Sequence, residues 1–151
     1  MAASMTIGDA DVQRIQNVLD RLMADAGCAA VLLIKRGGES LAAAGAASAI
    51  DMVSVGALAA GAFSSTAPLA QLLGEREFSV LIHEGVRQSL HVSAVDDATI
   101  LIAMFDERTT LGMVRVFVRE AATKLAAILD EARTRQRVSG AGRVASRRST
   151  T

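Results

Sequence analysis

Between Phe78 and Arg115 the chain runs through three short apolar stretches separated by turn residues and then changes its period. No other segment restricts the possible folds as strongly. Phe78, Val80 and Ile82 alternate with their neighbours across Glu77 to His83, the period of a half-buried strand. Glu84-Gly85-Val86-Arg87 makes a turn into a second run, Gln88 to Val95, and Asp96-Asp97 makes another before Thr99 to Phe105. A charged corner, Asp106-Glu107-Arg108, follows. Beyond it Leu111, Val114, Val118, Ala121, Leu125, Ile128 and Leu129 recur at helical spacing. Strands joined by such tight turns are antiparallel neighbours, and an amphipathic helix following them buries its stripe on the sheet.

The first half of the chain supplies the remaining elements. Val12, Ile15, Leu19, Leu22 and Met23 mark a helix over 11–26, with Asp9 as N-cap and Gly27 as its stop. Cys28 to Ile34 is a continuous apolar run that reads as a central strand covered on both faces. Lys35-Arg36-Gly37-Gly38 provides a hairpin turn with positive φ angles, and Glu39 to Ala44 returns as a second strand. Asp51 caps a second helix that runs to about Leu73 and stops at Gly74, with Pro68 predicting a kink or break near Ala67. Gly56 and Gly61 each cost that helix about 1 kcal/mol relative to Ala, so close approach of another backbone is expected there. The order is α-β-β-α-β-β-β-α in one domain, an α+β fold with an antiparallel sheet.

Charge divides the chain in two. Six arginines, from Arg133 to Arg148, fall in the last 19 residues without any acid, while residues 1–131 hold ten basic and sixteen acidic groups. This predicts a disordered N-terminus over 1–8, a folded acidic body over 9–132, and a basic, disordered tail over 133–151 whose helix frays near Ser139-Gly140. The tail is a candidate for binding an acidic partner, although a merely solubilising role fits its composition better. With four aromatic residues and neither Trp nor Tyr, the chain lacks a stacking platform for bases, which argues against nucleic acid as a partner.

The familiar chemical motifs are missing. No Gly-x4-Gly-Lys-Ser/Thr segment exists to cradle a nucleotide, and no Gly-x-Ser-x-Gly elbow to present a nucleophile. His83 and His91 are the only histidines; should neighbouring strands bring them together, they would still make a weak metal site. No catalytic, cofactor-binding or metal-ligating residue is therefore assigned. The single cysteine, Cys28, reads as a small buried hydrophobe. Leu41 to Phe63 carries only one charge, Asp51, but its apolarity is mostly Ala and Gly and polar residues interrupt it, so a membrane span is not expected. A signal peptide is not recognisable either, and the chain reads as cytoplasmic. Arg108 invites comparison with an arginine finger, but pairing with Asp106 or Glu107 at the corner is the simpler expectation.

Phe78 through His83-Glu84-Gly85, Ser89-Leu90, and Phe105-Asp106 through Val114-Arg115 together resemble the Roadblock family, and within it the bacterial MglB type. The helix from Asp51 to Gly74, with Ala60-Gly61 and Leu72-Leu73-Gly74, fits the same pattern, so the likeness spans residues 9–132. It implies a five-stranded antiparallel sheet with the middle helix on one face and the two terminal helices on the other. It also implies a homodimer in which the third strands, at Phe78, Val80 and Ile82, pair edge to edge. Such proteins bind a Ras-like GTPase of the MglA type and stimulate its GTP hydrolysis in cell polarity and gliding motility, by arranging the GTPase's own catalytic groups. The implied docking face is the middle helix, which makes Gly61, Ser64, Ser65, Pro68 and Gln71 the candidate contacts. Pro68 and the Ser64-Ser65 pair stand where the family has small Ala or Gly residues, and the arginine tail is a further departure. The alternative is a Roadblock scaffold that docks in a GTPase, sensor-kinase or motor assembly without raising hydrolysis.

Overall fold

The computed structural model describes residues 7–45 and 51–148, with side chains as far as residue 143. The expectation of a disordered N-terminus therefore falls mostly outside the described residues. Its described end is ordered, with Ile7 packed against the core. The elements are α1 (Asp9–Ala26), β1 (Ala30–Lys35), β2 (Ser40–Gly45), α2 (Met52–Ser65), α3 (Ala67–Leu72), β3 (Val80–Glu84), β4 (Gln88–Ala94), β5 (Thr99–Asp106) and α4 (Leu111–Arg148). The strands form one sheet in the order β2-β1-β5-β4-β3, with every pairing antiparallel.

β5 and β1 lie in the middle, and alternation along them divides the core between two faces. Val31, Leu33, Leu101, Ala103 and Phe105 pack against Ile15, Leu19 and Leu22 of α1 and Val118, Leu125 and Leu129 of α4. Leu32, Ile34, Ile100, Ile102 and Met104 face the other way, onto Ala59, Ala60 and Phe63 of α2. Both faces are covered, which is why these two strands read as unbroken apolar runs. Cys28 is buried next to them, and burial pushes its thiol pKa up to about 11.

Local signals account for most boundaries. The Asp51 carboxylate accepts from the Ser54 backbone N–H at 3.0 Å and from its hydroxyl at 2.5 Å, capping α2. These bonds hold the Asp51 pKa below the usual carboxylate value. Gly27 ends α1 in the left-handed region, its N–H bonded to the Met23 carbonyl. At the other end of α1 the N-cap is Gly8, and Asp9 lies inside the first turn instead of capping it. The middle helix breaks at Thr66 and resumes as α3 with Pro68 in its first turn, where the missing N–H costs nothing. In the turn between β1 and β2 Gly38 adopts a positive φ, at 99°, and Gly37 does not.

Two larger features depart from the sequence reading, and a third answers a point it left open. First, α4 does not fray near Ser139-Gly140 but continues to Arg148. Arg, Gln, Ala and Val sustain a helix at little cost, and two glycines subtract only about 1 kcal/mol each. The start of the supposed tail is also fastened to the acidic body. Arg135 Nη2 donates to both oxygens of Asp11 at 2.7 and 2.6 Å, and Arg133 meets Asp96 at 2.9 Å. Second, β3 begins at Val80, so Phe78 lies before the strand and not on it. Arg36 holds Glu77 in a bidentate pair at 2.8 and 2.9 Å and donates to the Asp96 carbonyl, so the chain joins the sheet only at Ser79, whose carbonyl accepts from Ala94 N–H. Third, His83 pairs with Leu90 while His91 pairs with Ile82, so the histidines point to opposite faces and cannot share a ligand.

Candidate functional site

The two sheet edges differ. β2 is backed by α1, whose Gln16 side chain donates to the Ala43 carbonyl at 3.1 Å. β3 forms the opposite edge and pairs only with β4. The bonds from Ala94 N–H to the Ser79 carbonyl and from Gly85 N–H to the Gln88 carbonyl fix the alternation of the β3–β4 ladder. It follows that residues 79, 81, 83 and 85 turn their backbone groups toward β4, while Val80, Ile82 and Glu84 turn theirs outward. An unpaired edge of this kind is a template for another strand.

The α2–α3 arm runs over the sheet face opposite α1 and α4. Gly56, Ala59, Ala60 and Phe63 face the protein. Gly56 lies where an added Cβ would meet Ile34 at 3.6 Å and the Gly38 carbonyl at 3.8 Å, so its small size serves packing within the chain. Gly61 is different: a Cβ there would meet nothing within 4 Å. Ser64, Ser65, Pro68 and Gln71 are likewise exposed, and the Ser65 hydroxyl donates back to the Ala62 carbonyl at 2.8 Å. All five residues assigned to docking from the sequence thus lie on the outer side of one arm.

Around them stand large apolar side chains that the sequence reading did not assign to docking. Leu58 is 75% exposed and Leu72 83%, and Val53, Leu69 and Leu73 join them in the open. A helix that is apolar all round needs cover on both sides, and this circumferential apolarity was the available signal. Met52–Leu72 is long and apolar enough to cross a membrane by composition, yet it is divided at Thr66 and rests one face on the sheet.

The remaining candidates take structural parts. Asp106 accepts from the Arg108 backbone N–H at 3.0 Å, and its other oxygen lies 3.6 Å from the Arg108 guanidinium. Thr109 donates from its hydroxyl to the Ala26 carbonyl at 2.6 Å, tying the corner to the end of α1. Arg108 therefore belongs to a corner fixed to α1, on the other side of the sheet from the arm. Asp96 closes its own turn by accepting from Ala98 N–H at 2.9 Å. Among the described residues no group of three His, Cys, Asp or Glu side chains is placed to hold a metal. What the arm and the edge offer is apolar area, open backbone groups and small side chains, the means of binding a protein.

Comparison with known proteins bears on the same elements. The Roadblock/LC7 domain matches residues 14–105. Among solved structures, Myxococcus xanthus MglB is 34% identical with a TM-score of 0.78, over 84% of this chain and 96% of that one. The gliding protein MglB of Thermus thermophilus is 32% identical with a TM-score of 0.81, over 87% of this chain and 99% of that one. An MglB with a tetrameric arrangement matches to the same degree, at 32% identity and a TM-score of 0.81. A search of curated proteins finds no match. The chain belongs to the Roadblock/LC7 family and is similar over most of its length to MglB proteins.

Proposed function

We propose that the protein is a homodimeric regulator of a Ras-like GTPase of the MglA type, working in the cytoplasm. Two chains join through β3, whose outward N–H and carbonyl groups at Val80 and Ile82 pair with those of a second copy. This brings two α2–α3 arms side by side. The GTPase docks on the arms at Gly61, Ser64, Ser65, Pro68 and Gln71, with Leu58 and Leu72 supplying apolar area. One observation carries the reading: a doubly apolar arm, exposed on its outer side, lies in a chain whose other sheet edge is unpaired. The similarity to MglB proteins supports the choice of partner.

Stimulation of hydrolysis fits this surface without an inserted arginine. Arg108 is engaged at the corner, and the five docking residues are uncharged. A neutral surface acts on a GTPase by holding its mobile segments in the reactive arrangement. The test is single-turnover GTP hydrolysis by the cognate GTPase with and without this protein. Acceleration supports a GTPase-activating role, whereas binding without acceleration assigns the chain to the scaffold alternative.

A further inference from the structure

On the sheet face opposite α2, α4 leaves part of β3 and β4 uncovered, and a cavity of about 430 Å³ opens between them. Register explains its floor. Val80 pairs with Ser93 and Ile82 with His91, so these residues share the face that looks toward α4. Arg115 and Arg119, one helical turn apart on α4, line the opposite wall.

The floor is polar where a core would be apolar. His91 is only 2% exposed and Ser93 5%, yet His91 Nδ1 and Ser93 Oγ have no hydrogen-bond partner. Buried polar atoms are nearly always paired, so two orphans on one wall call for a missing partner. The opposite wall is cationic and open to solvent, since Arg115 and Arg119 are exposed side chains of α4. Among the described residues Arg115 and Arg119 form no ion pair, and no carboxylate lines the cavity. Burial, reinforced by the charge of Arg115, lowers the His91 pKa below its ordinary value, so its ring is neutral and offers one N–H.

We propose that this cavity binds a small oxyanion-bearing molecule, a phosphate monoester or a carboxylate. Arg115 and Arg119 hold its charged oxygens, and His91 and Ser93 form the polar floor beneath it. Guanidinium groups suit both anions because their N–H groups form a planar fork. Val95, Val118 and Ala122 cover an organic body beyond the anionic end. The volume is that of a small-molecule site, not of a docked protein element. Because the cavity is on the face away from the α2–α3 arm, occupancy does not compete with a partner seated there. The proposal is thus separate from GTPase docking on the arm, while Val80 in its floor also belongs to the edge that the proposed dimer pairs.

The experiment uses the full chain and two probes, inorganic phosphate and succinate, each titrated at constant ionic strength against chloride. Heteronuclear NMR of the His91 ring nitrogens reports binding. At least one probe should give a saturable shift at millimolar concentrations; phosphate acting alone identifies the phosphate class, and succinate acting alone the carboxylate class. Arg115→Gln and Arg119→Gln, separately and together, should weaken binding about tenfold or more through loss of charge-assisted hydrogen bonds. Neither guanidinium is paired, so the variants should melt like wild type without ligand. The absence of a saturable shift with both probes would overturn the proposal, as would undiminished affinity in the folded double variant.

Discussion

Asp11 sits in the first turn of α1, where the helix dipole favours a negative charge, but it is buried and its closest partner comes from residue 135. Arg14 stands 3.6 Å from the same carboxylate and reaches Glu131 at 2.7 Å, so one cluster joins the two terminal helices. Removing Arg135 would leave a buried carboxylate short of its donors. Arg135→Ala should therefore destabilise the protein by about 1–3 kcal/mol in denaturant unfolding, which is more than an exposed ion pair would give. His91 makes a second prediction. Its folded pKa lies below the ordinary 6.5, with burial as the main cause and Arg115 as the lesser. The unfolded chain then takes up a proton that the folded chain refuses, so stability is complete above 6.5 and declines as pH falls through that value toward the folded pKa. Unfolding measured from about pH 7.5 to 5.5 should show this decline in wild type and a flatter profile in His91→Gln. The sequence disclosed the Asp51 cap, because cap and recipient are three residues apart. It did not disclose the Asp11–Arg135 bond, which spans 124 positions and involves an arginine that looked like part of a solvated run.

Among the elements, α4 and β3 carry the consequences. The first turn beyond Ala132 attaches α4 to α1 and to the β4–β5 turn, whereas the described residues from Val138 to Arg143 are exposed. A chain ending at Val138 should melt as the full chain does, and one ending at Ala132 several degrees lower by calorimetry, since about 1 kcal/mol shifts the midpoint of a domain this size by a few degrees. Because Ile82 turns its N–H outward, Ile82→Pro should spare the β3–β4 ladder but block pairing with a second strand. Sedimentation should find wild type a dimer and the variant a folded monomer. Period-two alternation made the three later strands legible, and the hairpin turns placed them in order. The start of β3 was not legible, because the Arg36–Glu77 pair that delays it depends on a contact 41 residues apart. The fastening of α4 at Arg133 and Arg135 was missed because composition alone cannot reveal that these arginines have carboxylates waiting on the body.

For the molecule as a whole, a sheet packed on both faces presents one arm and the β3 edge that no described residue covers. The architecture could be read from the sequence because each element declares its period and its stops, and family likeness supplied the arrangement in space. The proposed docking surface was delimited only in part from the sequence. Gly61, Ser64, Ser65, Pro68 and Gln71 lie exposed on one arm, but the larger apolar residues around them were indistinguishable from core until the fold showed which side of the helix was free. Gly61 provides the sharpest probe, since a side chain there meets open space and replaces a residue that disfavours helix. Gly61→Arg should thus fold and dimerise normally while setting bulk and charge in the docking face. The decisive measurement is single-turnover GTP hydrolysis by the cognate MglA-type GTPase with wild type, Gly61→Arg and Arg108→Ala. The account predicts acceleration by wild type and its loss, together with binding, in Gly61→Arg. Arg108→Ala should keep most of the acceleration, in contrast to the roughly thousandfold or greater loss that a catalytic arginine would cause. Gly61→Arg behaving like wild type while Arg108→Ala binds but no longer accelerates hydrolysis would contradict it and move the mechanism from the arm to the charged corner.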